Sequence, residues 1–214
     1  MRLERSKWRA PDPPELVIFR QRIDTLLDPQ PVRLRKHIQP IGSRVLVGHL
    51  PAGYLVSKLL ARRIQARDLE RQHFIAAGML GAIAPDLDMF YFYFIDQRQH
   101  HHHLYFPHLP VVWLVLVGVS AAWLYSRRKA MASLALIFSL NGLVHMFLDS
   151  TAGDIWWFGP WVDKPFALVT VRARYQPWWL NFVLHWTFLL EVFVLLLAAY
   201  VWRRSRKTER GHAA

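Results

Sequence analysis

Three long apolar stretches, residues 110–125, Ala130–Asp149 and 180–202, restrict this chain more than any other feature, because each is close to the roughly 20 residues that carry a helix across a bilayer. Residues 74–95 form a fourth stretch, interrupted by Asp86 and Asp88, and residues 45–60 a shorter fifth that contains His49 and Lys58. A soluble α-domain can bury one such helix, but four or five of them leave little polar surface to face water. With 53% hydrophobic residues and no cysteine, the chain is neither a disordered basic tail nor a disulfide-stapled secreted domain. The fold class that follows is an all-α integral membrane protein, a polytopic helical bundle of four to five transmembrane helices.

Lys and Arg outnumber Asp and Glu by 27 to 15, and a net charge of +12 taken alone suggests nucleic acid or an anionic membrane as partner. The basic residues are segregated, however: ten lie in residues 1–44, and others cluster at Arg62 to Arg71, at Arg127, Arg128 and Lys129, and at Arg203 to Arg210. Short basic loops beside apolar spans are cytoplasmic by the positive-inside rule. Loops 61–72 and 126–129 and the C-terminus are therefore expected inside, and loops 96–109 and 150–179 outside. Trp156, Trp157, Trp161, Trp178 and Trp179 in the second of these suit an interfacial aromatic belt. The expected organisation is a basic N-terminal arm (1–44), a membrane-embedded domain (45–202) and a basic cytoplasmic tail (203–214). Between its prolines the arm is expected to form a short amphipathic surface helix over 15–27. Its ten basic residues also favour the cytoplasm, so either 45–60 is re-entrant and there are four spans, or the arm is outside and there are five. The charged opening residues, followed by no apolar run, predict no cleavable signal peptide, and the expected site is a bacterial cytoplasmic (inner) membrane. No recognition helix or aromatic-basic platform is visible, so no nucleic-acid partner is expected.

An ionisable residue deep in lipid is costly and usually has partners. Counting about 1.5 Å per helical residue from the basic ends, Asp86 lies roughly 20 Å above His73 and His145 roughly 22 Å above Ala130, with Asp88, Asp149, His108 and His185 near the same level. A descending 45–60 span brings His49 there too. His145 and Asp149, spaced i,i+4, share a helix face and can chelate one ion. Asp86 and Asp88 follow Pro85, where a break would turn both carboxylates toward one centre. His100 to His103 and then His108 add imidazoles. Histidine and carboxylate without thiolate suit a divalent transition metal, zinc first, with manganese or iron as alternatives, as one or two ions.

These residues fall in an order that resembles a known family. Gly48-His49, then Pro85-Asp86-Leu87-Asp88, then His103-x4-His108, then His145-x3-Asp149-x-Thr151-x-Gly153 followed by Trp156 to Pro160 are similar to the bacterial membrane-bound metal-dependent hydrolases of the YdjM type, described as LexA-binding inner membrane-associated hydrolases. The similarity covers residues 48 to about 166. It implies His49, Asp86, Asp88, His103, His108, His145 and Asp149 as the metal-binding or catalytic set. Two departures stand out. The family's Arg-Gly-x-Thr between the paired histidines is Leu104 to Pro107 here, and the Ser after the second is Leu109, so an oxyanion-binding Arg and two hydroxyls are missing.

The expected mechanism is metal-assisted hydrolysis, in which an ion acidifies water and polarises the scissile group. Asp88 or Asp149 is the candidate general base, and His103 or His108 the candidate acid. Aromatic surroundings at Phe90 to Phe94 and at Trp156-Trp157 favour an amphipathic, lipid-type substrate with a phosphate or ester, although the same residues suit plain interface packing. A metal or proton transporter would use the same His/Asp cluster. His185 is a candidate for supporting a ligand from behind, and Glu191 for an interhelical hydrogen bond.

Overall fold

Among the residues that the computed structural model describes, 47–97, 99–127, 129–172, 174–177 and 179–211, the chain is all-helical, and its one β feature is an isolated antiparallel bridge between Ile155 and Phe166. The helices are α1 (His49–Ile64), α2 (Arg71–Ile83), α3 (Asp88–Phe94), α4 (Pro110–Ser126), α5 (Ala130–Asp149), the single-turn α6 (Leu180–Val183) and α7 (Thr187–Gly211). The arm 1–44, with the helix expected over 15–27, lies outside the described residues, as does Trp178.

Helix α5 is the axis of packing, with α1, α2 and α4 against it and α7 against α1. Glycine makes two of these approaches possible. A Cβ at Gly81 of α2 would stand 2.1 Å from the Phe138 carbonyl oxygen of α5, and one at Gly142 of α5 would stand 2.0 Å from the Trp113 ring of α4. Close backbone approach of this kind drives helix association where apolar burial cannot, because lipid is as apolar as the side chains. Polar side chains inside the apolar helices find partners at once. Ser57 Oγ donates to the Gly53 carbonyl at 2.6 Å, Asn141 Nδ2 donates to the Ile137 carbonyl at 2.9 Å, and Ser133 Oγ donates to the Ile64 carbonyl at 2.7 Å. The outer faces are apolar instead: Val115 and Val119 of α4, Met131 of α5 and Leu189, Phe193 and Leu196 of α7 are all exposed. Apolar side chains exposed in this number mark an interaction surface.

Helix α5, 20 residues long, is by itself long and apolar enough to cross a membrane. The stretch 74–95 is a bent pair: α2 and the segment Pro85–Phe94 meet at 54° and pass the same test only together. Pro85 explains the bend, since it lacks the N–H that would bond back into α2. Helix α4, with 17 residues, is apolar but shorter. The stretch 180–202, expected as one helix, is interrupted at 184–186. There His185 Nδ1 accepts the Thr187 N–H at 3.4 Å, a side-chain cap that starts α7 afresh, and α7 then runs on through Arg203 to Gly211.

The two ends of the bundle are set by a few contacts. Ser133, near the start of α5, binds Ile64 at the end of α1, and Lys58 Nζ donates to Ser205 Oγ of α7 at 2.8 Å. At the opposite end His49, the first residue of α1, meets Asp149, the last of α5. Helices α1 and α5 are therefore antiparallel. The exposed Arg62, Arg63, Arg67, Arg127, Lys129 and Arg203 gather at one end, and the loop that follows α5 lies at the other.

Candidate metal centre

Helix α5 supplies the middle of the site. His145 and Asp149, one turn apart, are both buried on its inward face, with His145 Nε2 3.2 Å from Asp149 Oδ2. Helix α1 brings His49, whose Nε2 lies 3.1 Å from Asp149 Oδ1. The Pro85 break brings Asp86 on a short 3-10 turn, with Oδ1 3.6 Å from His145 Nε2 and 3.7 Å from His108 Nε2. Two further 3-10 turns, His102–Leu104 and Phe106–His108, bring His103 Nε2 within 3.6 Å and His108 Nε2 within 3.7 Å of Asp149 Oδ2. Four regions distant in sequence thus meet around Asp149 and Asp86.

The imidazoles share an orientation. His145 Nδ1 pairs with the Ala82 carbonyl at 2.7 Å, one of the terminal carbonyls that an ending helix leaves without an intrahelical partner. His103 Nδ1 pairs with the Asp154 carbonyl at 2.7 Å, and His108 Nδ1 with Asp88 Oδ2 at 2.5 Å. In each case the acceptor fixes the proton on Nδ1 and leaves the Nε2 lone pair for the centre. The Nε2 atoms of His108 and His145 are fully buried without a hydrogen-bond partner. Buried polar atoms are seldom left unpaired, and those that are call for an explanation such as an ion.

Among the described residues three groups have ligand atoms close enough to hold an ion: His102, His103 and His108; His49, His145 and Asp149; and Asp86, His108 and His145. The donor chemistry, imidazole and carboxylate without thiolate, fits a divalent transition metal. Asp88 is in none of these groups. It stands behind His108 instead of turning with Asp86 toward one centre, because residues two apart on a helical turn do not share a face.

His102 enters the cluster although only its membership in the histidine run singles it out in the sequence. The run divides by exposure: His102 and His103 are buried, while His100 and His101 are exposed. His100 anchors the outer half, its ring and backbone N–H meeting the Asp96 carboxylate at 2.6 and 2.9 Å. Burial works against the charge on Asp96, but those hydrogen bonds prevail and hold its pKa at about 2. His185 takes no place in the three groups. It serves the α7 cap.

A cavity of about 80 Å3 reaches the cluster from the side of α7, lined by His49, Asp149 and Glu191 and by the apolar Phe182, Phe188 and Val194 among others. The loop after α5 meets the site at Asp154, whose carbonyl faces His103. Trp157 Nε1 donates to Ser150 Oγ and Trp156 Nε1 to Asp163 Oδ1, both at 2.8 Å, and Asn181 ties the backbone of Arg174 and Tyr175.

The sequence profile of the YdjM inner membrane proteins matches residues 45–210. No curated protein and no solved structure matches the chain.

Proposed function

The chain belongs to the YdjM inner membrane protein family, and from that premise we propose that its buried cluster is the divalent-metal centre of a membrane-embedded hydrolase. The observation that carries this reading is the shared set of the imidazoles: three Nδ1 atoms held from outside, with Nε2 atoms left buried and converging on two carboxylates. The set divides into two parts, His49, His145 and Asp149 on one side and His102, His103 and His108 on the other, with Asp86 between. One or two ions, zinc first by donor type, would be held there. Such an ion supplies Lewis acidity to a phosphate or ester group and acidifies water.

The chain's own residues divide the remaining work. Asp149, reached by four imidazoles, neutralises the positive charge that the centre collects. Asp86, with a side chain 19% exposed, is the more open of the two central carboxylates and is placed to take a proton from water entering the site. Asp88 acts through His108 as a positioning residue. His103 and His108 stay the candidates for protonating a leaving group. The cavity beside His49 and Asp149 has apolar walls on α7, which favours an amphipathic, lipid-type substrate whose polar end reaches the centre.

In the same reading five segments traverse the bilayer: α1, the bent pair α2–α3, α4, α5 and α7. The basic end is cytoplasmic, the C-terminus included, and the cluster lies toward the outer face. The antiparallel course of α1 against α5 supports the five-span alternative.

Metal analysis of the protein in detergent tests the centre. Wild type should carry about one or two ions per chain, and His145→Ala and Asp86→Ala should carry fewer; a wild type without metal, or mutants unchanged, defeats the reading. Turnover of a lipid phosphate or ester panel without a sealed membrane then supports hydrolysis. Metal flux in liposomes without any turnover would make the cluster a transport site.

A further inference from the structure

His49 is the exception among the imidazoles that surround Asp149. Its Nε2 faces the cluster as the others do, but its Nδ1 is buried with no hydrogen-bond partner, whereas His103, His108 and His145 each have an acceptor at that atom. A neutral imidazole that offers its Nε2 lone pair to an ion carries its proton on Nδ1, and a buried N–H needs an acceptor. On α7, Glu191 has its Oε2 buried and likewise unpartnered. Glu191 and His49 line the same cavity of about 80 Å3.

The neighbouring residue shows how close the two segments come. A Cβ on Gly48 would stand 3.2 Å from Glu191 Cγ and 3.7 Å from its Cδ, so glycine before His49 lets the start of α1 lie against this carboxylate. Glu191 is also the sole acidic residue in the apolar part of α7, where a carboxylate is expensive unless it has a partner. Two orphaned polar atoms of complementary type, an imidazole nitrogen and a carboxylate oxygen, therefore face one small space.

We propose that Glu191 is the outer acceptor for His49 Nδ1–H, directly or through one water in the cavity, and so completes for the fourth histidine the arrangement that Ala82, Asp154 and Asp88 provide for the other three. Glu191 is thus a positioning residue: it acts through His49 and is not itself a ligand. The assignment rests on the metal-centre reading above. Outer acceptors of this kind typically change metal affinity by about 10- to 100-fold.

The test uses the full chain in detergent, stripped of metal and titrated with Zn2+ against a chelating indicator and with Co2+ by visible absorption. Glu191→Met keeps the length of the side chain but removes the acceptor, and it should weaken Zn2+ binding by about 10-fold or more and alter the Co2+ bands. Glu191→Gln keeps an acceptor oxygen and should stay within about threefold of wild type. In a His49→Ala background the Glu191→Met effect should vanish, which a merely structural role would not produce. Should Met disturb folding, Glu191→Ala takes its place in the same cycle. Wild-type affinity in Glu191→Met, or an equal loss with and without His49, overturns the assignment while leaving the centre intact. A wild type that binds neither ion overturns both.

Discussion

The two ends of the helical bundle handle charge in opposite ways. At one end Arg62, Arg63, Arg67, Arg127, Lys129 and Arg203 stand exposed on connections and on the far part of α7. At the other, His49, His103, His108, His145 and Asp149 are buried against one another. Exposed charges are cheap and need no fixed partner, so the basic end tolerates irregular placement and works through its sum. Buried ones are costly, so each must be held at a stated atom, and the site end has a hydrogen bond or an opposite charge for nearly every nitrogen.

Substitutions should separate the ends, the largest effect coming from the centre. Asp149→Ala removes the carboxylate that four imidazoles meet, and metal affinity should fall by more than the roughly 100-fold upper range seen for outer-shell losses; Arg63→Ala, at the other end, should leave metal content at the wild-type value. Retention of metal by Asp149→Ala would erase the contrast.

Asp88→Asn should weaken Zn2+ binding by about 10- to 100-fold without abolishing it, since Asp88 holds His108 from behind. Competition titration reads this, and a complete loss would move Asp88 into the inner set. Next in size is packing that both ends share. Gly142→Ala drives a methyl into the Trp113 ring and should cost about 1–3 kcal/mol in detergent unfolding.

The absence of cysteine makes sidedness a clean measurement. In intact cells an impermeant thiol reagent should label Trp161→Cys and spare Arg67→Cys; labelling of both, or the reverse, breaks the assignment of ends. Smallest of all is Asp96→Asn. The folded Asp96 titrates at about 2, below an ordinary carboxylate. Its stabilising contribution is thus full above the unfolded pKa near 4 and lost as pH falls through about 2. With the His100 ring 67% exposed, that contribution is under about 1 kcal/mol. Thermal unfolding of the mutant should match wild type near neutral pH to within a few degrees and lose the acid-limb difference.

Much of this arrangement is legible in the chain as written. Apolar length locates α4 and α5, Pro85 marks the bend, and the i,i+4 spacing puts His145 and Asp149 on one face. What cannot be read locally is which side of a turn looks inward. Nothing in four consecutive histidines separates His102 and His103 from His100 and His101, and the split arises because Asp96 holds His100 at the surface. Asp88 matches Asp86 in type and lies two residues away, yet the turn sends it behind His108. The break at 184–186 is accompanied by a contact between His185 and Thr187, too small a signal to stand out in an apolar run. Glu191 is least legible, because its neighbour Gly48 is remote in sequence and only the packing of α7 on α1 brings them together.

The contact between His49 and Asp149 spans 100 residues. A ribosome adds roughly 5–20 residues per second, so α1 emerges about 5–20 s before its partner carboxylate exists. During that interval His49 has no Asp149 to meet. Assembly of the site is therefore a late event in biogenesis, because it waits for the end of α5.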